Sequence, residues 1–287
     1  MKDICIITGG SSGIGFESAK LLGKDYYIII ASRNEEKLKK AVLELRKMQI
    51  ECEYQILDIS NEDSILKFID NIKDKKNIKV LIHAAGTSPH MANYKKIIDS
   101  NAIGSVILNK EILKIMNNGI IINVSSMSAY LTPSFILPKR KYKLAFLNIK
   151  KLKNKLYKRT KLFPKKVRSG VAYGISKNFL TWFSIAFAVK AIEKNVRIIS
   201  VSPGNFETPM GNLEIEEGKK FIEKSILKRV GNPKEIATLF KNLIDFDNSY
   251  LTGIDIKCDG GVYSYNVNKK IIKIIKNNWN VDKKYYN

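Results

Sequence analysis

The sequence predicts a single α/β domain built on a doubly wound parallel sheet. Short β-type runs alternate with helical patterns along most of the chain. The predicted strands are apolar throughout, as in parallel sheets whose two faces are both covered by helices. At 287 residues, the chain is long for one such domain and short for two. This length favours one domain with an insertion.

Seven strands are predicted in order along the chain, with an interruption after the fifth. The predicted strands are 4–8, 27–31, 54–57, 80–83, 120–124, 196–201 and 254–257, and the predicted helices are 14–22, 34–48, 61–73, 97–116, 173–192 and 233–245. We expect the domain to span 1–262, with an insertion at about 127–169. A Lys/Asn/Tyr-rich extension, helical around 269–276, is expected at 263–287.

The composition excludes several classes of protein. No apolar run approaches the ~20 residues that a transmembrane helix needs, and Met1 leads into the first strand without a signal pattern. Cys5, Cys52 and Cys258 are scattered without metal or redox spacing, which predicts reduced thiols, no metal site and a cytoplasmic location. The formal charge is +23, but no helix-turn-helix, zinc module or aromatic platform indicates specific binding of nucleic acid.

The motif TGGSSGIG at 8–15 lies between the first predicted strand and the first helix. At such a junction one glycine makes the tight turn and a second lets the backbone approach a pyrophosphate. A third lets the helix pack on the strand, so that its N-terminal amides face the anion. The motif therefore predicts a dinucleotide site.

A second pattern indicates acid/base chemistry. Tyr173 and Lys177 are four residues apart, which places them on one face of a helix. A phenol titrates near pH ~10, and a nearby ammonium lowers its pKa towards the ambient pH, where it is a better proton donor. Asn101 and the pair Ser125-Ser126 precede them in the chain.

The glycine turn, Asn, Ser and Tyr-x-x-x-Lys in this order resemble the short-chain dehydrogenase/reductase family over residues 3–262. The resemblance implies a Rossmann-type doubly wound sheet and hydride transfer between a nicotinamide cofactor and a carbonyl group. It implies that Tyr173 donates the proton and that Lys177 holds the ribose and tunes Tyr173. Asn101 would hold a relay water. Ser126 would polarise the carbonyl, since the register of the family favours it over Ser125.

The same resemblance implies the cofactor contacts. The implied residues are Gly9, Ser11, Ser12, Gly13, Ile14, Gly15, Ser32, Arg33, Asp58, Ala85, Gly86, Tyr173, Lys177, Pro203, Gly204 and Thr208. Relatives that select NAD carry an acid at the end of the second strand, where this chain has Ser32 followed by Arg33. A guanidinium can bind a 2′-phosphate through two hydrogen bonds, so we expect NADP(H) to be preferred over NAD(H).

Two positions depart from the usual pattern of the family. His83 stands where an asparagine usually braces the sheet, and we interpret it as a structural substitute. Ser126 and Tyr173 are 47 residues apart, far more than in most relatives. Bacterial 3α-hydroxysteroid dehydrogenase/carbonyl reductases carry a helical insertion at the same place, and the chain is most similar in pattern to that subgroup.

The insertion is strongly basic. Residues 139–168 contain fourteen Lys or Arg and no acid. Ala145, Ile149, Leu152 and Leu156 recur at helical spacing with lysines between them, which predicts a basic amphipathic helix. We expect its apolar stripe to cover the rim of the active site or a subunit interface. The alternatives are docking of an anionic carrier such as acyl-ACP, or adsorption to anionic lipid.

The leading functional hypothesis is an NADP(H)-dependent carbonyl reductase or hydroxysteroid dehydrogenase-like enzyme that acts on a small-molecule ketone or alcohol. A 3-oxoacyl-thioester reductase is the alternative. A non-catalytic dinucleotide sensor or nucleic-acid-binding protein is disfavoured because such a protein has no need of Asn101, Ser126, Tyr173 and Lys177. We expect a homo-oligomer, a dimer or tetramer, with the loop 205–228 as the substrate lid.

Overall fold

Seven parallel strands form one sheet in the computed structural model, which describes residues 2–212, 221–245, 250–268 and 271. The strands are β1 (Ile4–Thr8), β2 (Tyr27–Ser32), β3 (Cys52–Ile56), β4 (Ile78–His83), β5 (Gly119–Val124), β6 (Val196–Pro203) and β7 (Ile254–Cys258). Their order is β3-β2-β1-β4-β5-β6-β7. From β1 the strand order runs outwards in both directions, so the loops that follow β1 and β4 leave towards opposite faces of the sheet. This arrangement creates a crevice at the carboxyl ends of these two strands. The predicted fold class, a Rossmann-type single domain, is confirmed.

Helices cover both faces of this sheet. One face carries α1 (Gly13–Leu22), α2 (Glu35–Lys47) and a later helix, α11 (Pro233–Ile244); the other carries α3 (Glu62–Ile72), α4 (Tyr94–Ile98), α5 (Ser105–Ile115) and α9 (Arg168–Ala191). Each face buries its own apolar cluster. This two-sided burial explains why the central strands carry almost uninterrupted Ile and Val.

Asparagine side chains cap several helices. Asn34, Asn61, Asn93 and Asn232 accept hydrogen bonds from backbone N–H groups in the first turns of α2, α3, α4 and α11. These caps satisfy amide groups that have no partner within the helix. They determine the residue at which each helix begins, and therefore where the loop that leads into it ends.

Two predicted helices differ from the observed ones. The single helix predicted at 97–116 is divided into α4 and α5 by a π-helical turn at Asp99–Gly104, a feature that a pattern of period 3.6 does not show. The helix predicted at 173–192 is α9, which begins at Arg168. Its extra first turn follows directly from the end of the insertion.

The insertion between β5 and α9 contains α6 (Ser128–Leu131), α7 (Leu144–Leu147) and α8 (Ile149–Lys161), with short 3₁₀ turns between them. The prediction of one helix that includes Ala145 is wrong. Asn148 has extended backbone dihedrals, ends α7 and caps α8 through its side chain. Ala145 therefore lies on α7, whereas Leu152 and Leu156 lie buried on α8.

The apolar side of the insertion packs on its own chain. α8 contacts α4 and α9, and the ring of Tyr142 is buried edge-on against Phe179 of α9, with ring centroids 5.1 Å apart. The Tyr142 hydroxyl donates to Asn178 Oδ1 at 3.1 Å. The insertion is thus part of the packed domain, and its apolar stripe is covered by helices of the same molecule.

The last described elements are α10 (Pro209–Asn212), inside the predicted lid, and α12 (Val262–Val267), at the start of the predicted extension. Residues 213–220 of the lid lie outside the described residues, and so does the stretch predicted to be helical around 269–276, except Ile271. Within the described part of the chain, no helix combines the length and apolar character needed to cross a bilayer.

Candidate active site

A cavity of about 480 Å³ opens at the carboxyl ends of the strands. It is lined by all the sequence-predicted site residues except Asn101: Gly9, Ser11, Ser12, Gly13, Ile14, Gly15, Ser32, Arg33, Asp58, Ala85, Gly86, Ser126, Tyr173, Lys177, Pro203, Gly204 and Thr208. These residues come from seven separate segments of the chain. The topology of the sheet brings them to one crevice.

The glycine turn leaves no room for side chains at two positions. Gly9 has φ +72°, and a Cβ there would lie 2.9 Å from Ala85 N; at Gly15 a Cβ would lie 2.5 Å from Gly9 O. The first turn of α1 contains no acid, and the Ser12 hydroxyl makes no capping hydrogen bond. The N-terminus of α1 is therefore open towards the cavity, where its N–H groups suit an anion.

The end of β2 presents cations to the cavity. Ser32 Oγ accepts from Ser11 Oγ at 3.1 Å, and the exposed Arg33 follows it. Lys37, in the first turn of α2, also lines the cavity. Sequence reasoning missed Lys37, although its spacing of four residues from Arg33 and the Asn34 cap between them place it near the same end of α2.

Asp58, after β3, is held in its ionised form. Burial raises its pKa, but hydrogen bonds from Ser60 and Lys96 outweigh this effect and lower the pKa below the ordinary value. Asp58 Oδ1 accepts from the Ser60 backbone N–H at 2.9 Å, and Oδ2 pairs with Lys96 Nζ at 2.9 Å. The carboxylate thus lies in the cavity wall with most of its acceptor positions already used.

The two adjacent serines have different environments. Ser125 is buried, donates to the Lys177 backbone carbonyl at 2.9 Å and accepts from Thr181 Oγ1 at 2.9 Å. Ser126 is partly exposed, and its hydroxyl accepts only from Ser128 N at 3.2 Å among the described contacts. Ser126 therefore retains its proton for a ligand, which supports it over Ser125 as the group that polarises a carbonyl.

Lys177 lies deep in the cavity wall on the same helix as Tyr173. Its Nζ donates to Val124 O at 2.9 Å and lies 5.8 Å from the centre of the Tyr173 ring. Burial lowers the pKa of Lys177 to about 8, so the ammonium is still charged at neutral pH. A cation held this close to a phenol stabilises the phenolate and makes the phenol a stronger acid.

Asn101 lies in the π-helical turn, behind the cavity wall. Its Oδ1 accepts from Thr87 N at 2.8 Å, and its Nδ2 donates to Thr87 O at 2.9 Å. A Cβ at Gly86 would be 3.4 Å from Asn101 Oδ1 and 3.5 Å from Lys177 Nζ. The side chain of Asn101 therefore braces the loop beside Lys177, while its role in holding a water stays a prediction.

His83 has a structural environment. Its Nδ1 lies 2.8 Å from Thr8 Oγ1, and its Nε2 lies 2.8 Å from Ser105 Oγ, which joins β1, β4 and α5. Burial, together with the charge of Lys177, lowers the pKa of His83 to about 3. The ring is neutral, has partners at both nitrogens and does not line the cavity, so the interpretation of His83 as a structural substitute is confirmed.

Large apolar side chains form part of the cavity wall. Sequence reasoning did not name them individually: Met91, Met127, Phe206, Met210 and Phe221. They lie on separate segments of the chain, and nothing local in the sequence distinguishes them. Of these, Phe206, Met210 and Phe221 fall within the predicted lid.

Comparison with known proteins identifies the family. Residues 3–137 match the family model for short chain dehydrogenases, and residues 163–263 match a model described as enoyl-(acyl carrier protein) reductase. The oxidoreductase YxbG of Bacillus subtilis strain 168, described as uncharacterized, is 30% identical over 97% of this chain and 97% of its own. The chain belongs to the short-chain dehydrogenase/reductase family.

Three further relatives or solved structures are less similar in sequence. Carbonyl reductase family member 4 of Xenopus laevis is 28% identical over 91% of this chain and 98% of its own. The 3-oxoacyl-[acyl-carrier-protein] reductase of Buchnera aphidicola is 27% identical over 91% of this chain and 98% of its own. A crystal structure of an actinorhodin polyketide ketoreductase variant with NADPH has a TM-score of 0.73 at 20% identity, over 91% of this chain and 97% of the other.

As a short-chain dehydrogenase/reductase, the protein is an oxidoreductase of a family that binds NAD(P). The residues present fit such a cofactor. The turn at Gly9 and Gly15 would be filled by any side chain, and the start of α1, which no side chain of a described residue caps, suits a pyrophosphate. The cavity runs from this turn to Tyr173 and Lys177.

Proposed function

We propose that this protein is an NADP(H)-dependent carbonyl reductase that interconverts a ketone and a secondary alcohol, similar to the hydroxysteroid dehydrogenases. One observation carries the proposal. Ser126, Tyr173 and Lys177 line the same cavity as Arg33 and Lys37, and the end of β2 carries no acid. The acid/base groups and the cations suited to a 2′-phosphate therefore belong to one site.

The residues of this chain would act on the carbonyl group as follows. The Ser126 hydroxyl donates a hydrogen bond to the carbonyl oxygen, and the Tyr173 phenol donates the proton that completes the alcohol. Lys177, held by Val124 O, stabilises the phenolate that remains. NADPH, when bound, supplies the hydride. In the direction of oxidation, the phenolate of Tyr173 takes the proton back.

Arg33 and Lys37 support the preference for NADP(H). Both lie at the cavity, and no ion pair with another described residue engages either of them. A phosphate needs such donors, whereas the free ribose of NAD is better held by a carboxylate. The residues predicted for the cofactor would hold it from the glycine turn to Thr208.

The apolar lining supports an apolar ketone as substrate. Met91, Met127 and Met210 have flexible thioether side chains that adapt to irregular ligands. A 3-oxoacyl thioester is the second candidate, favoured by the similarity to the Buchnera reductase. The three cysteines Cys5, Cys52 and Cys258 are free, which suits a reducing cytoplasm, and we keep a homo-oligomer as a further expectation.

A substrate panel tests the function. Ketones of increasing size and a 3-oxoacyl thioester are offered with NADPH or NADH, and loss of absorbance by the reduced nicotinamide is followed. We expect turnover of a ketone with NADPH and its near-complete loss in Tyr173→Phe. Oxidation of neither cofactor with any substrate, or full activity in that variant, would contradict the proposal.

A further inference from the structure

The fourteen cations of residues 139–168 fall into two groups. Three have partners within the chain. Lys153 Nζ pairs with Asp99 Oδ1 at 2.9 Å, while Arg159 and Arg168 donate to backbone carbonyls of the insertion. These three cations therefore contribute to the packing of the insertion.

The other eleven cations are exposed and form no ion pair with another described residue. They are Lys139, Arg140, Lys141, Lys143, Lys150, Lys151, Lys155, Lys158, Lys161, Lys165 and Lys166. Those on α8 lie outside the stripe that carries the buried Leu152 and Leu156, and all of them are exposed. Like charges at this density repel one another and do nothing for the fold.

Large apolar side chains are exposed among these cations. Phe135, Leu147 and Leu162 have exposed fractions of 76%, 72% and 73%. They precede α7, end it and follow α8, so they alternate with the exposed cations along the segment. The apolar stripe of α8 is buried within the domain, but these three side chains are available to another surface.

We propose that the exposed face of residues 135–166 binds the surface of an anionic phospholipid bilayer. The lysines attract the negative headgroup layer, and Phe135, Leu147 and Leu162 enter the boundary between headgroups and acyl chains. The protein would bind reversibly at the interface, without spanning the bilayer. This inference does not depend on the proposed function.

The composition of the face favours lipid over an acidic protein or RNA. Ten of the eleven unpaired cations are lysines, which act as hydrated point charges and do not form the planar fork that recognises individual carboxylates or phosphates. They are spread over α8 and the short turns on either side of it in the chain. A diffuse field with protruding Phe and Leu fits a headgroup layer, in which no single position of the anion is fixed.

Sedimentation with vesicles tests the proposal. The full chain is mixed with vesicles of equal phosphatidylcholine and phosphatidylglycerol, or of phosphatidylcholine alone, at low and high salt. We expect binding only to the anionic vesicles, with strong weakening at high salt because exposed charges are screened. Lys150→Gln, Lys155→Gln and Lys158→Gln together should weaken binding about a hundredfold, at about fivefold for each lysine.

A matched triple variant separates this face from the net charge. Lys24→Gln, Lys47→Gln and Lys67→Gln remove three exposed lysines outside the insertion and should leave vesicle binding nearly unchanged. Phe135→Ser with Leu162→Ser should weaken binding even at low salt, whereas a purely electrostatic contact would not respond. Thermal unfolding confirms that each variant is folded.

Three results would overturn the proposal. The first is failure of the wild-type chain to bind anionic vesicles at low salt. The second is equal loss of binding in the two lysine triple variants. The third is binding to an acyl carrier protein or to RNA, sensitive to the insertion lysines, by a chain that does not bind the vesicles.

Discussion

Lys177 and the lysines of the insertion have opposite environments. Lys177 is buried, donates to a defined carbonyl and lies beside Tyr173, so its charge acts on one neighbouring group. Lys150, Lys155 and Lys158 are exposed and have no ion-pair partner among the described residues. A buried charge depends on the atoms around it, whereas exposed charges act together as a field. Single substitutions should therefore change activity or cofactor binding in the cavity, whereas several lysines of the insertion must be replaced together to change its binding to a surface.

The largest effect is expected at Tyr173. Tyr173→Phe keeps the ring and removes the proton, so turnover should fall at least ~100-fold, the usual scale of general acid catalysis. Binding of NADPH should change little. Tyr130→Phe is the matched control, because its hydroxyl donates to Asp259 outside the cavity. Steady-state kinetics and cofactor titration measure both variants, and equal losses in the two would place the proton donor elsewhere.

Substitutions on the two sides of α8 should differ strongly in their effect on the free energy of unfolding. Leu156→Ala removes a fully buried side chain and should lower the free energy of unfolding by about 2–5 kcal/mol. Lys158→Ala on the exposed side should change it by no more than about 0.5 kcal/mol. Chemical denaturation measures both variants. A small effect of Leu156→Ala would mean that the insertion is not packed on the domain.

The preference for NADP(H) can be tested by substituting one cation of the cavity and, as a control, one of the insertion. Arg33→Ala should weaken the binding of NADPH by about 1.5–3 kcal/mol, the range for a hydrogen bond to a charged group. It should weaken the binding of NADH much less. Arg140→Ala, an exposed arginine of the insertion, should change neither. Fluorescence of the reduced nicotinamide reports both titrations, and equal losses of NADPH and NADH in Arg33→Ala would remove this residue from the phosphate site.

The smallest effect, taken over one pH unit, is expected at His83. The pKa of His83 is about 3 in the folded chain, below the value of about 6.5 expected after unfolding. The unfolded state therefore binds a proton that the folded state excludes. The contribution of the neutral His83 ring to the free energy of unfolding should be fully present above pH about 6.5. Below that pH the free energy of unfolding should fall by about 1.4 kcal/mol per pH unit.

His83→Asn should flatten this dependence between pH 5 and 7, a window in which few carboxylates titrate. Denaturation at a series of pH values measures the wild-type chain and the variant. An unchanged slope in His83→Asn would show that another group takes up the proton.

Much of the site was predictable because its residues have narrow physical requirements. Gly9 and Gly15 are needed where backbone approaches backbone, and Tyr173 and Lys177 must lie on one face of a helix. Lys37, Met91 and Met210 were not predicted, because any residue type fits their local backbone. Their place in the cavity depends on how distant loops meet.

The insertion shows the same division. Its charge and the burial of Leu152 and Leu156 were readable from the sequence, but its break at Asn148 and its packing on α4 and α9 were not. A helical pattern predicts which side of the helix is apolar, but it does not predict which residues that side contacts.

The sequence by itself determined the alternation of strands and helices, the glycine turn and the position of Tyr173 and Lys177 on one face of a helix, because each depends on residues close together in the chain. Only the tertiary structure decided that Ser126 and not Ser125 has a free proton donor, that Asn101 braces Thr87, and that the lysines of α8 other than Lys153 are exposed. These properties depend on contacts between segments far apart in the chain, and local patterns carry no information about such contacts.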